Sequence, residues 1–359
     1  MDWLSHLIPG SLPNGTPILS VLAKRTYSVG YKQVTLADEQ EPFIEADEFF
    51  NPESVLNSEI KAENELVAFK PFIDFVVTGK AKTPEGKQAY YLDITVSVGS
   101  VTKVIRVFGE RTIESRALRG LAFTEPQPFS ELEIGYRYAY GGSALTKSDT
   151  FFSYPSNPIG MGFTLKAKEV DVSTLRVPHI EDPQTPLTPD DLLLAKPSDW
   201  TNAPKPVSLG WTRRNFFPRY TYAGILPEHL EGAKTALDEQ KKNGLATADM
   251  TLPPMDFRMY QGASEGLWLQ NLKGNEPVRI AYMDAAYPNF EFFLPGDIPT
   301  IKIKYDGVEN IVKPEIQTIV IDKERNIMTI IWRGYLPYEG IMSLATKPLT
   351  GFSATSELY

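Results

Sequence analysis

The 359-residue sequence contains no cysteine and only three histidines, His6, His179 and His229. Without cysteine, the chain can form no disulfide, no thiolate zinc site, no iron–sulfur centre and no thiol nucleophile. The three histidines lie far apart in the sequence, and none falls within one helical turn of another. This spacing does not indicate a His-rich metal centre, and we expect no metal and no cofactor.

Long hydrophobic runs are also missing. The longest apolar stretches, such as 290–295, are far shorter than the roughly 20 residues that a membrane-spanning helix needs. The N-terminus has neither the basic segment nor the apolar segment of a signal peptide. Basic patches are not indicated either, because the net charge is −9. The sequence therefore predicts a cytoplasmic protein with no membrane insertion and no nucleic-acid partner.

Proline, in contrast, is abundant. The 29 prolines amount to about 8% of the chain, against a usual level near 5%. Many of them fall in residues 176–225, where their density excludes a central strand. We predict an N-terminal β-rich part over 1–175, a proline-rich connector over 176–275 with a helix at 227–243, and a C-terminal β-rich part over 276–359. The three parts could also form one compact unit.

Alternation of apolar and polar residues predicts strands on both sides of the connector. Residues 72–78, 90–98 and 102–108 are predicted as strands, and 90–98 alternates. The connections are too short for parallel crossovers, which favours an antiparallel meander. Near the C-terminus, Asp306-Gly307 is a strong hairpin signal between residues 300–305 and 309–312. We expect a mainly β fold of antiparallel, sandwich-like parts with long proline-rich loops and one short peripheral helix.

Tyrosines recur at a spacing of two in residues 131–140. If this segment is one strand, Tyr136, Tyr138 and Tyr140 lie on the same face. Tyrosine is enriched at protein interfaces. We therefore predict that the three side chains form part of a partner-binding surface.

A basic and aromatic cluster follows in the connector, with Trp211, Arg213, Arg214 and Tyr222 as its main members. Arginine and tyrosine dominate binding hot spots, so the cluster could bind a partner. It could equally cover the core, with its aromatic rings buried and its arginines paired with acids. We place these four residues and Asp256 among the candidates for partner binding.

Two glycine-containing segments resemble catalytic or cofactor motifs. Residues 262–266 fit the G-x-S-x-G pattern of a nucleophile elbow, but no histidine follows Ser264 in the chain. Residues 160–162 begin like a dinucleotide fingerprint but lack the third glycine. Both segments are more simply interpreted as turns, and we predict no catalytic residues.

Paired carboxylates leave one enzymatic alternative open. A carbohydrate-active β-sandwich enzyme would need two acids on either side of the scissile bond. Its candidates here are Glu181-Asp182, Asp190-Asp191 and Asp256. A sugar-binding lectin belongs to the same alternative.

A series of short motifs resembles a bacterial family. It consists of Lys70-Pro71 with Asp74, then segments 79–81, 107–111, 128–129, 138–142, 157–162, 177–183, Trp211 with Arg213, and 222–224, 253–257, 269–272, 316–322 and 331–333. In order and spacing these motifs resemble the bacterial domain-of-unknown-function family 2169, from about Ser20 to Pro337.

This resemblance implies a function. Members of the family are regarded as cytoplasmic adaptors or chaperones of type VI secretion, which bind a toxic effector, often one with a PAAR-type domain, and help to load it onto the secretion spike. The implied partners are therefore the effector and possibly the spike protein. A purely structural subunit of the apparatus is a third possibility. The resemblance implies no active site.

Overall fold

A computed structural model describes residues 3–116, 120–166, 171–223, 242 and 255–356. The predicted helix at 227–243 lies outside the described residues except for Lys242. Among the described residues, no helix is long and apolar enough to cross a membrane.

The described residues form many strands, most of them short. In the first half they are β1 (Leu4–Ser11), β2 (Pro17–Gly30), β3 (Gln33–Leu36), β4 (Glu48–Phe49), β5 (Ile60–Ala62), β6 (Ile73–Thr78), β7 (Lys80–Lys82), β8 (Tyr91–Val98), β9 (Val101–Phe108), β10 (Ile113–Arg116), β11 (Gly120–Phe123), β12 (Glu131–Glu133), β13 (Tyr140–Gly141), β14 (Ser143–Leu145), β15 (Phe151–Ser153), β16 (Met161–Gly162) and β17 (Thr164–Leu165). In the second half they are β18 (Ile180–Glu181), β19 (Leu193–Leu194), β20 (Trp268–Leu269), β21 (Pro277–Ala281), β22 (Asn289–Phe293), β23 (Pro299–Tyr305), β24 (Val308–Val312), β25 (Glu315–Asp322), β26 (Ile327–Pro337) and β27 (Leu349–Ser356).

Short 3-10 helices connect several of these strands. They cover Pro52–Asn57, Pro84–Gly86, Tyr136–Tyr138, Val172–Thr174, Pro189–Leu192, Pro197–Asn202, Arg219–Ala223, Phe257–Tyr260 and Ile341–Ala345.

The largest sheet has seven strands. Its order is β1-β2-β26-β25-β6-β20, and β3 pairs with the far end of β2. All its pairings are antiparallel except the one between β25 and β6, where Thr318–Asp322 run parallel to Asp74–Thr78. Because β2 and β6 come from the N-terminal part and β25 and β26 from the C-terminal part, the predicted boundaries at 175 and 276 do not separate the strands of this sheet.

Besides six two-stranded sheets among the described residues, two larger sheets complete the frame. One has the order β18-β9-β8-β21-β22 and the other the order β24-β23-β27. Along β8 every second residue is buried, as the alternation in the sequence predicts. Buried side chains of all three sheets belong to one hydrophobic core, including Val21, Ile94 and Ile301. The mainly β, sandwich-like fold class is therefore confirmed.

The tyrosine segment differs from its prediction. Only Glu131–Glu133 forms a strand, and Tyr136–Tyr138 turn into a 3-10 helix, so the three tyrosines do not share a strand face. Tyr136 and Tyr140 are buried. Tyr140 belongs to a second, smaller core, where its ring contacts that of Tyr154 at a centroid distance of 5.3 Å.

We expect the shared core to dominate stability. Phe75 of β6 has no exposed surface and lies opposite Ile319 of β25. Because Phe75→Ala leaves a cavity where β6 pairs with β25, it should lower the free energy of unfolding by about 3–5 kcal/mol. Phe293→Ala is the matched control, since Phe293 is 66% exposed, and should change it by about 0.5 kcal/mol. Chemical denaturation measures both, and equal losses would contradict this account.

Candidate partner-binding site

A buried carboxylate at the start of β6 anchors the loops above the large sheet. Asp74 accepts hydrogen bonds from the backbone N–H groups of Gly262 and Ala263, both at 3.0 Å, and from Nε2 of Gln261 at 2.9 Å. Nζ of Lys70 donates to Oδ2 of Asp74 at 2.7 Å. A buried charge is tolerated only with such partners. Asp74 therefore holds segment 261–263 against the sheet.

Segment 261–263 in turn positions the basic and aromatic cluster. Trp211 forms an isolated β-bridge with Ala263, and the N–H of Thr212 donates to the carbonyl of Gly262 at 2.7 Å. At Gly262 a Cβ would lie 1.8 Å from Oε2 of Glu63, so only glycine permits this approach. Trp211 is consequently buried beneath the surface, and its role in partner binding stays a prediction.

Ser264, the central residue of the G-x-S-x-G pattern, takes part in the same packing. Its hydroxyl donates to the carbonyl of Gly210 at 2.7 Å, and the hydroxyl of Tyr136 lies 3.2 Å away. The Tyr136 hydroxyl also contacts that of Thr212 at 2.7 Å. Ser264 is therefore a buried turn residue. Tyr136 braces the same turn and, like Tyr140, is buried. The partner-binding role of both tyrosines stays a prediction.

Buried ion pairs fasten the rest of the cluster. The carboxylate of Glu63 accepts from the guanidinium of Arg219, and both side chains are 2% exposed. It also accepts from Nε of Arg214 at 3.0 Å. Arg219 donates further to the backbone carbonyls of Thr212 and Met259. These contacts match the core-covering interpretation of the cluster, with its arginines paired with acids.

Arg213 has a different role, because its buried guanidinium reaches a surface loop. Its Nη1 donates to the carbonyls of Val55, Leu56 and Ser58 at 2.9, 3.1 and 2.7 Å. Arg213 is only 5% exposed, and its role in partner binding stays a prediction. It fixes the backbone of a loop.

This loop, residues 50–58, carries exposed apolar side chains, and we call it the apolar loop. Phe50, Val55 and Leu56 are 55%, 40% and 77% exposed. The guanidinium of Arg137 lies over the ring of Phe50 at 5.7 Å. Sequence reasoning missed this loop, although its apolar residues interrupt an acidic stretch and so offered a signal.

A cleft of about 550 Å³ lies beside the apolar loop, and Phe50 is part of its wall. Its walls carry five basic residues and eight acids: Glu41, Glu48, Glu59, Glu63, Glu65, Glu133, Asp322 and Glu324. At its base, Nζ of Lys24 and a carboxylate oxygen of Glu65 are 2.6 Å apart, both largely buried. Acidic groups therefore predominate in this cleft.

Glu59 is the acid in the cleft whose ionisation the fold disfavours. Burial raises the pKa of Glu59 to about 7, although the N–H of Tyr136 and the charge of Arg137 favour the ionised form. The nearby charge of Glu133 raises the pKa further. The carboxyl group of Glu59 therefore titrates near neutral pH.

The remaining predicted residues lie nearer the surface. Tyr138, Arg214, Tyr222 and Asp256 are each partly exposed. Asp256 accepts from the guanidinium of Arg258 at 2.6 Å, and this interaction lowers the pKa of Asp256. A general acid needs a raised pKa, so this arrangement does not favour catalysis by Asp256. Among the described residues, no group of three or more metal-ligating side chains could hold an ion.

Comparison with known proteins identifies the family. Residues 14–333 match the bacterial domain-of-unknown-function family 2169, described as an uncharacterized protein conserved in bacteria. The chain belongs to this family. No curated protein and no solved structure matches it. In this member of family 2169 the matched span includes the apolar loop, Asp74 and Arg213, so it contains the whole candidate site.

The hydrogen bonds of Arg213 predict a local effect. Arg213→Ala removes all three bonds to the apolar loop, so amide hydrogen exchange over 50–58 should accelerate at least about tenfold. Arg214→Ala is the matched control, because Arg214 pairs with Glu63 and Asp47, which both lie outside the loop. Exchange mass spectrometry measures both variants. Unchanged exchange in the Arg213 variant would show that another contact fixes the loop.

Glu59 predicts a pH dependence of stability. Because its pKa is higher in the folded than in the unfolded state, the folded state is favoured at low pH, and this advantage is lost as pH rises from about 4.5 to about 7. Glu59→Gln keeps an acceptor for the Tyr136 amide but has no charge. The variant should be more stable than the natural protein at pH 8, by up to about 2–3 kcal/mol, and similar at pH 4. Urea unfolding at both pH values tests this, and a constant difference would refute it.

Proposed function

We propose that this protein is a non-enzymatic adaptor or chaperone of bacterial type VI secretion. It binds a toxic effector in the cytoplasm, often one linked to a PAAR-type domain, and helps to load it onto the secretion spike. The observation that carries the proposal is the apolar loop, which exposes Phe50, Val55 and Leu56 while a buried arginine holds its backbone.

The rigidity of the apolar loop supports a role in binding. A loop that is ordered beforehand loses little conformational entropy when a partner docks. Arg213 orders the loop from beneath through three carbonyls, so its own charge never has to contact the partner. Phe50 and Leu56 supply the large apolar surfaces that interface centres need.

The charge of the adjoining cleft supports a partner that carries basic residues around the edge of its contact surface. Its acids outnumber its basic residues, and the whole chain carries a net charge of −9. Complementary charge speeds association and suppresses wrong partners. The effector surface that fits this site therefore combines an apolar centre with lysines or arginines at its edge.

The contacts of the candidate acids do not favour the alternative of a carbohydrate-active enzyme. Asp256 is paired with Arg258, and the largely buried carboxylate of Glu181 lies 3.3 Å from the guanidinium of Arg111. Asp191 accepts from the N–H and hydroxyl of Thr188, which caps a 3-10 helix. Asp256, Glu181 and Asp191 therefore each have a structural partner.

Co-expression with a type VI effector that carries a PAAR-type domain tests the proposal. The two proteins should co-purify, and the double variant Phe50→Ser, Leu56→Ser should weaken the complex at least about tenfold, because it removes the apolar centre of the interface. Titration by calorimetry measures the affinity.

The matched control is the double variant Ile341→Ser, Met342→Ser. These side chains are 61% and 86% exposed on a different segment, so their replacement should leave the affinity unchanged. Absence of any complex, combined with hydrolysis of a glycan panel that Asp256→Asn abolishes, would overturn the proposal in favour of the enzyme.

A further inference from the structure

Strand β24 lies at the edge of the three-stranded sheet and follows a tight hairpin. The turn residues Asp306 and Gly307 have φ values of 52° and 73°, as a two-residue hairpin of this hand requires. Tyr305 lies opposite Val308 across the turn. In such a hairpin these two residues exchange hydrogen bonds, which sets the direction of every backbone group beyond them.

The outward-facing groups of β24 follow from this register. In β23 the backbone N–H and C=O groups of odd-numbered residues therefore face β24, and those of even-numbered residues face β27. The N–H of Asp306, directly after β23, donates to the carbonyl of Pro348, directly before β27, which agrees with this pattern. Val308, Asn310 and Val312 therefore bond to β23. The N–H and C=O groups of Glu309 and Ile311 point away from the sheet, and Lys313 follows directly after the strand.

This edge is open within the part of the chain that the structure describes. There, no backbone group bonds to the outward groups of Glu309 or Ile311. The side chain of Ile311 is 71% exposed and contributes to a neighbouring cleft of about 490 Å³ with Ile298 and Pro314. An unpaired edge with an exposed apolar residue is a template for another strand.

Two other sheet edges are protected. In β1, the register with β2 directs the backbone groups of residues 5, 7, 9 and 11 away from the sheet. One of these residues is Pro9, which has no N–H to donate to another strand. On β22, the outward carbonyl of Glu291 already accepts from the N–H of Lys32. Strand β24 has neither a proline at an outward position nor an outward backbone carbonyl that already accepts a backbone hydrogen bond among the described residues.

The charge pattern on β24 is complementary to itself. Glu309 and Lys313 lie two residues on either side of Ile311, on the same edge. When two copies of this strand pair antiparallel about Ile311, each Glu309 faces a Lys313, and the two Ile311 side chains meet at the centre. Opposite charges and apolar pairs directly across a ladder are stabilising.

We propose that β24 pairs antiparallel with β24 of a second copy of this chain, forming a two-fold symmetric dimer with a continuous six-stranded sheet. The present partners of the two charges are exposed: Lys302 lies 2.9 Å from Glu309, and Glu315 lies 3.2 Å from Lys313. Such surface pairs contribute little, so they do not oppose the new pairing. One short edge buries less area than a stable interface, so the dimer is weak and concentration-dependent.

Charge reversal tests the register of this dimer. Sedimentation equilibrium from about 1 µM to about 500 µM should show reversible dimerisation. Glu309→Lys and Lys313→Glu should each weaken it about tenfold, because each change places like charges opposite each other twice in a symmetric dimer. The double variant exchanges the two charges and should restore the natural affinity, which a folding defect would not do.

Two further variants complete the test. Ile311→Pro removes the central outward N–H without touching a bond to β23, and it should abolish dimerisation. Glu114→Lys is the matched control, since Glu114 is a partly exposed strand residue paired with Arg116, and it should leave dimerisation unchanged. A monomer at every concentration would overturn the proposal, as would a dimer that persists in the Ile311 variant. Effector binding through the apolar loop is measured separately and does not depend on this result.

Discussion

The burial of Asp74 is the interaction on which the candidate site depends. A carboxylate without exposed surface, placed at the start of a central strand, needs several donors to remain in the core. Three of its donors are groups of segment 261–263, and this segment pairs with Trp211 and Thr212. The next residue, Arg213, then reaches the apolar loop. One buried charge thus connects the large sheet to the surface at which we place the partner.

The residues that carry the family resemblance have mainly structural roles here. Trp211, Arg213 and Asp74 are buried, and each positions backbone rather than presenting a side chain to solvent. The proposed contact residues, Phe50 and Leu56, lie outside those motifs. This division is physically reasonable, because buried polar networks tolerate little change in geometry, whereas an exposed apolar surface can vary with the partner it meets.

Part of the fold could be predicted because strand alternation is a local property. The hairpin at Asp306-Gly307 and the alternating strand 90–98 appear in the structure within one or two residues of their predicted bounds. The tyrosine segment failed because a spacing of two is also compatible with a turn followed by a 3-10 helix. Periodicity over ten residues could not distinguish a strand from this turn and helix, since the conformation depends on distant partners. The side-chain amide of Asn157 donates to the carbonyls of Tyr136 and Tyr140.

By itself, the sequence determined the strand-rich class, the tight turns and the family, because composition, alternation and turn residues act over a few neighbouring positions. The tertiary structure alone decided which residues are available to a partner. Arg213 and Arg214 are adjacent and chemically identical, yet one is buried beneath a loop and the other is partly exposed. Burial depends on contacts such as those between Arg213 and Val55, which are 158 residues apart and leave no local signature.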